Sequence, residues 1–132
     1  MTNRFEWSLS NIVAISQLAE RVYATYKDAQ GDFRHISEEI MPLQAIINMA
    51  VQHFERATFS DNDRQLGQEV LKGCHSILED LNSLVEKLSS AIVCQGFNSI
   101  RLRVETLRAR LISNTGSFND FIQRFHILPT AM

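Results

Sequence analysis

The sequence predicts an all-α fold, an antiparallel four- to five-helix bundle with a proline-kinked second helix. Three stretches carry apolar residues at alternating steps of three and four. They are Phe5, Ile12, Ile15, Ala19, Val22 and Tyr26; then Phe33, Ile36, Ile40, Leu43, Ile47, Ala50 and Phe54; then Val70, Cys74, Ile77, Leu81, Leu84 and Leu88. Such spacing draws one stripe along a helix, and each stripe needs neighbours to cover it. Short polar connectors separate the stripes, which favours side-by-side packing of consecutive helices.

Element by element, the first helix runs over about 8–29, with Ser8 or Ser10 as N-cap and Gly31 as the stop. The turn Gln30-Gly31-Asp32 is short enough to make helices 1 and 2 antiparallel. The second spans about 33–58 and contains Pro42. Proline removes one backbone hydrogen bond, but Ile40, Leu43 and Ile47 stay in phase across it, so a kink is expected and not a break. The polar loop 59–63 supplies several caps. The third helix runs over about 63–90, widened by a second row of Leu71, Leu78 and Val85. Gly67 and Gly73 weaken its early turns or allow close helix approach. A fourth helix covers about 97–113, with Phe97, Ile100, Val104, Leu107 and Leu111 inward, and Asn114-Thr115-Gly116 ends it. Ser117-x-x-Asp120 then resembles a capping box that opens a final piece over 117–127, with Phe118, Phe121, Ile122 and Phe125 on one face.

The 132 residues fit a single domain, 1–132, long enough to bury roughly two thirds of its unfolded surface. The formal net charge of −2 argues against a chain-wide nucleic-acid binder. Charge is uneven: residues 96–132 carry five arginines against Glu105 and Asp120, a local +3, and the rest carries 8 basic and 13 acidic residues. The opening residues lack the basic start and apolar run of a secretory signal, and no apolar run approaches the ~18 residues of a membrane span. Two cysteines do not make a disulfide framework. Cys74 reads as a small buried hydrophobe and Cys94 as part of a connector, in a reducing, cytoplasmic setting.

Chemistry-bearing patterns are sparse. Histidines 35, 53, 75 and 126 lack the Glu-x-x-His repeat of a di-iron bundle, and Cys74-His75 lacks zinc-ligand spacing. Glu38-Glu39 and Glu79-Asp80 are adjacent pairs that do not converge on one cleft. No nucleophile elbow, P-loop or dinucleotide fingerprint occurs. The reading is non-enzymatic, with no catalytic residue, cofactor, metal, nucleic acid or small-molecule substrate.

Two features remain. Steps of seven pair Arg101 with Arg108 and Arg103 with Arg110 along the two sides of the fourth stripe. They are placed either to lay their stems over the core edge and pair with acidic faces of helices 2 and 3, or to recognise an anionic lipid or partner. At the other end, Trp7 to Ala19 is free of charge. It reads first as a buried helix, and the functional alternative is a segment that, once released, meets a membrane interface with Trp7 at headgroup level.

Three blocks carry a family resemblance: FEWSLSNIVAISQLAERVYATYKDAQGDFRHIS (5–37), CHSILEDLNSLVEKL (74–88) and VETLRARLISNTGSFNDFI (104–122). They resemble a fungal N-terminal helical domain that precedes NACHT, NB-ARC or ankyrin-repeat regions in STAND (NLR-like) proteins. That domain is similar to the HeLo, HeLo-like and SesA domains and, more remotely, to the four-helix bundles of necroptosis executioners and plant NLR coiled-coil domains. The longer basic, tryptophan-bearing stretch often found between helices 3 and 4 of that family is replaced by SSAIVCQGFNSIRLR. No nucleotide-binding module follows, so the chain is expected to be an excised domain or a stand-alone relative.

The resemblance implies a signalling or effector domain that oligomerises and, on activation, associates with an anionic membrane in cell-death or incompatibility signalling. Trp7, Leu9, Ile12, Val13 and Ile15 are then the membrane or partner contacts, and Arg101, Arg103, Arg108 and Arg110 the anionic-lipid or partner contacts. The alternative is a constitutive dimerisation or protein–protein interaction module without effector activity, using a stripe around Val51, Phe54 and Phe59.

Overall fold

The computed structural model describes residues 5–29, 33–91 and 97–126, and their side chains except at 85–101 and 126. These residues form four helices, α1 (Leu9–Lys27), α2 (Arg34–His53), α3 (Asp61–Ala91) and α4 (Phe97–His126), with no strand among them. Helix α1 packs against α2 and α3, and α4 packs against the same two. The buried stripes of all four therefore meet in one core.

Local chemistry sets most of the helix ends. Ser8 caps α1, its Oγ accepting from the Asn11 backbone N–H at 3.4 Å, and the Asn11 amide donates to the Glu6 carbonyl at 2.8 Å. The helix closes two residues before the expected end, where Ala29 N–H donates to the Tyr26 carbonyl. The expected stop at Gly31 lies outside the described residues. Helix α2 passes through Pro42, which cannot bond the Glu38 carbonyl. Both residues are exposed, so water is available to that carbonyl.

Two further boundaries differ from the sequence reading. Helix α2 ends at His53, not at 58, because the N–H groups of both Arg56 and Ala57 turn back to the His53 carbonyl. The turn folds Phe54 and Phe59 onto Trp7, which outweighs continued helix. Helix α3 begins at Asp61 behind a reciprocal capping box. Ser60 Oγ accepts from Asp63 N–H at 3.1 Å and the Asp63 carboxylate accepts from Ser60 N–H at 3.0 Å. The Ser60 backbone N–H, with smaller contributions from the Ser60 hydroxyl and Arg124, holds the Asp63 carboxyl below the usual carboxylate range.

The largest correction concerns the end of the bundle. Residues 97–113 and 117–127 are not separate pieces, since α4 continues unbroken through Asn114-Thr115-Gly116. Ser117 is an interior residue of that helix and not a cap. Phe118 lies two turns beyond Leu111, and both are wholly buried, so the stripe crosses Gly116 in phase. Burying Phe118, Phe121 and Ile122 gains several times the ~1 kcal/mol that an interior glycine costs.

One long-range bond crosses this core. The Tyr26 hydroxyl, in the last turn of α1, donates to the Leu81 carbonyl of α3 at 2.7 Å. The phenol is wholly buried, and desolvation pushes its ionisation above the ordinary tyrosine range.

Candidate functional site

The densest constellation is an aromatic socket around Trp7. This residue precedes α1, yet it is only 2% exposed. Its ring meets Phe121 edge-on at 5.0 Å, Phe59 at 5.7 Å, Phe54 at 6.1 Å and Phe118 at 6.2 Å. Phe125 extends the group, 4.9 Å from Phe59 and 5.2 Å from Phe121. Rings at these separations and tilts set the positive edge of one against the face of the next. The socket joins the N-terminal segment, the end of α2, the 54–60 turn and the C-terminal half of α4.

Helix α3 supplies its remaining wall through Gly67, where a Cβ would stand 2.5 Å from Trp7 Cδ2. Gly67 thus admits an indole rather than a neighbouring helix. Gly73 does admit its neighbour: a Cβ there would meet Asn114 Oδ1 of α4 at 2.5 Å. The same Asn114 amide donates to Cys74 Sγ at 2.8 Å. Cys74 is fully buried, and desolvation pushes its thiol up to about 12.

Among the described residues, the buried Trp7 indole N–H has no hydrogen-bond partner. An unmade bond of this kind costs about 1–3 kcal/mol, which the ring contacts must outweigh. The N-terminal segment is therefore held by apolar contact alone at its most buried point.

The other candidate residues divide by burial. Ile12 and Ile15 lie in the core, Leu9 is half-buried and Val13 is exposed. The folded bundle therefore presents Val13 and part of Leu9, with Trp7, Ile12 and Ile15 enclosed. Among the described residues, no helix is long and apolar enough to cross a membrane.

The arginines of α4 also divide. Arg108 donates to Glu39 of α2 at 3.2 Å and Arg110 to Asp80 of α3 at 3.1 Å. Arg124 pairs with Asp63 at 3.6 Å. Arg103 is exposed, and the Arg101 side chain lies outside the described residues. Two of the four candidate arginines are thus engaged with acidic residues of helices α2 and α3. The stripe offered for dimerisation is engaged as well: Phe54 and Phe59 surround Trp7, and Val51 packs on the core. Among the described residues, no three His, Cys, Asp or Glu side chains are grouped to hold a metal ion.

Sequence reasoning missed the socket. Its six rings come from three separate segments, and the only linear trace is the aromatic spacing after Gly116. It also missed a cleft between α1 and α3, where His75 stands edge-on to Phe5 at 5.2 Å.

No family model matches the chain, and no solved structure matches it. A curated protein of Monascus ruber, "Azaphilone pigments biosynthesis cluster protein L", is 33% identical over 85 residues. That match covers 61% of this chain and 18% of the relative, so the chain spans less than a fifth of that protein's length.

Proposed function

We propose that this chain is a non-enzymatic signalling or effector domain of a larger fungal NLR-like protein, built as an antiparallel bundle kinked at Pro42. It acts by releasing its N-terminal segment, oligomerising and binding an anionic membrane. The observation that carries this reading is the Trp7 socket. A charge-free segment is tethered by apolar contacts around an indole whose N–H has no partner among the described residues. Such a tether opens whenever another apolar phase, a membrane interface or a second copy, takes the ring. Arg103 is exposed, and Arg108 and Arg110 exchange carboxylates for lipid phosphates as the bundle opens.

Liposome leakage tests this. Wild-type protein concentrated into oligomers is expected to release dye from anionic vesicles, and Ile12→Asp and Ile15→Asp are expected not to. If the wild type neither binds nor permeabilises such vesicles under any oligomerising condition, the membrane reading is wrong.

A second reading, a constitutive dimerisation module, draws support from α4. Leu102 and Ile112 there are 72% and 52% exposed. Light scattering separates the two readings, since a monomer at high micromolar concentration is incompatible with constitutive dimerisation.

A further inference from the structure

A second feature, unrelated to the socket, is the cleft of about 380 Å³ between α1 and α3. Its size lies within the range of small-molecule sites. The floor is apolar and buried, made by Ile15 and Leu18 of α1 and Leu71 of α3, each at most 5% exposed. One wall is aromatic: Phe5, ahead of α1, sets its ring against His75 of α3. The mouth carries one cation and one anion, Arg21 on α1 and Glu79 on α3.

These two charges differ from those of Arg108, Arg110 and Arg124, which are all paired. Neither the Arg21 guanidinium nor the Glu79 carboxylate enters an ion pair or side-chain hydrogen bond among the described residues. Each is available to a ligand without first leaving a partner.

We infer that the Phe5–His75 cleft binds a small aromatic zwitterion, of the chemical class of an aromatic α-amino acid. Its ring lies on the Ile15, Leu18 and Leu71 floor beside Phe5 and His75. Its carboxylate meets Arg21 and its ammonium meets Glu79. A mouth with one charge of each sign disfavours a doubly charged ligand of either sign, because one of its own charges would then be repelled. The apolar floor of Ile15, Leu18 and Leu71 favours a ligand with a ring over a purely polar one, whose groups would find no partner there. The ligand is bound and not transformed.

Titration of the ¹⁵N-labelled chain with L-tryptophan, followed by ¹H–¹⁵N NMR, tests this. Saturable shifts are expected at the amides of Phe5, Asn11, Ala14, His75 and Glu79, with a Kd of roughly 10 μM to 1 mM. Tryptamine lacks the carboxylate and indole-3-propionate lacks the ammonium, so each is expected to bind about tenfold more weakly. Arg21→Gln and Glu79→Gln, both at exposed positions, are expected to weaken L-tryptophan to a similar degree. Ala14→Trp, at the exposed rim, is expected to abolish the shifts.

The inference is overturned by shifts that fail to saturate or that scatter away from the cleft. It is overturned equally by glutamine variants that bind as the wild type does. Indole-3-propionate binding as tightly as L-tryptophan also defeats it, in favour of a monoanion site.

Discussion

Gly67 and Trp7 fit one another as knob and hole: the indole occupies the space a side chain at 67 would need, 2.5 Å from where its Cβ would lie. The indole is rigid and is fixed by four other rings, so it has no soft direction in which to yield. Gly67→Ala is therefore expected to destabilise the fold by about 1–3 kcal/mol despite its better helix propensity. Urea unfolding followed by Trp7 fluorescence checks this. A red-shifted native emission should accompany the loss, and an unchanged midpoint would contradict the fit.

Gly116 should respond in the opposite direction. It lies inside α4 with open space where a Cβ would stand. Gly116→Ala is expected to raise stability by about 0.5–1 kcal/mol, chiefly by narrowing the unfolded ensemble. The pair of alanine variants in one urea series makes a direct comparison, because the two changes are chemically identical and only their surroundings differ.

The Trp7 side chain should tolerate a smaller ring better than none. Trp7→Ala leaves the socket empty and is expected to cost about 3–5 kcal/mol. Trp7→Phe gives up ring area but removes the buried N–H that has no partner, so its loss should be markedly smaller. Equal losses in thermal unfolding would show that a phenyl ring recovers none of the socket's packing and would contradict this account.

Alkaline pH should unfold the protein. Tyr26 and Cys74 both ionise at higher pH folded than unfolded, because burial opposes their charged forms. Their ordinary values are 10.0 and 9.0, and Cys74 is raised to about 12. The stability tied to each is thus fully present below its ordinary value and is lost as pH rises above it. The slope is about 1.4 kcal/mol per pH unit per group. Urea midpoints measured between neutral and strongly alkaline pH should fall steeply, and Tyr26→Phe should flatten the fall while costing about 1 kcal/mol at neutral pH. A slope unchanged in Tyr26→Phe would contradict the assignment.

The α3 capping box yields an acid counterpart. The Asp63 carboxyl is held low first by the Ser60 backbone N–H and then by the Ser60 hydroxyl and Arg124. Its contribution is present above the ordinary carboxylate value of 3.8 and is lost as pH falls through the lower folded value. Ser60→Ala is expected to cost about 1 kcal/mol, with fraying of the first turn of α3 visible in amide exchange.

Wherever a stripe of buried residues is long, the sequence reading and the structure coincide. Ile12 to Tyr26 and Cys74 to Leu84 are buried at helical spacing. Where a local word competed with burial, the word misled. Asn114-Thr115-Gly116 spells a stop, and Ser117-x-x-Asp120 spells a start. Neither operates, because Phe118, Phe121 and Ile122 gain more from continuing the stripe. The same four-residue word does operate at Ser60 and Asp63, where the chain turns anyway. The socket and the cleft were not legible at all. Each brings together residues far apart in the chain, and periodicity within one helix carries no information about which rings meet across several.

The Tyr26 bond to Leu81 ties the last turn of α1 to a residue 55 positions onward, while Trp7 holds the segment before its first turn. The first helix is thus moored at both ends by unlike fastenings, one apolar and one a hydrogen bond. On the proposed release, displacing Trp7 would free the leading segment while the trailing turn stays fastened, so detachment would proceed in stages. The chain's single tryptophan would become wet at the first of them, so its emission is the readout expected for a partly opened bundle before α1 leaves it.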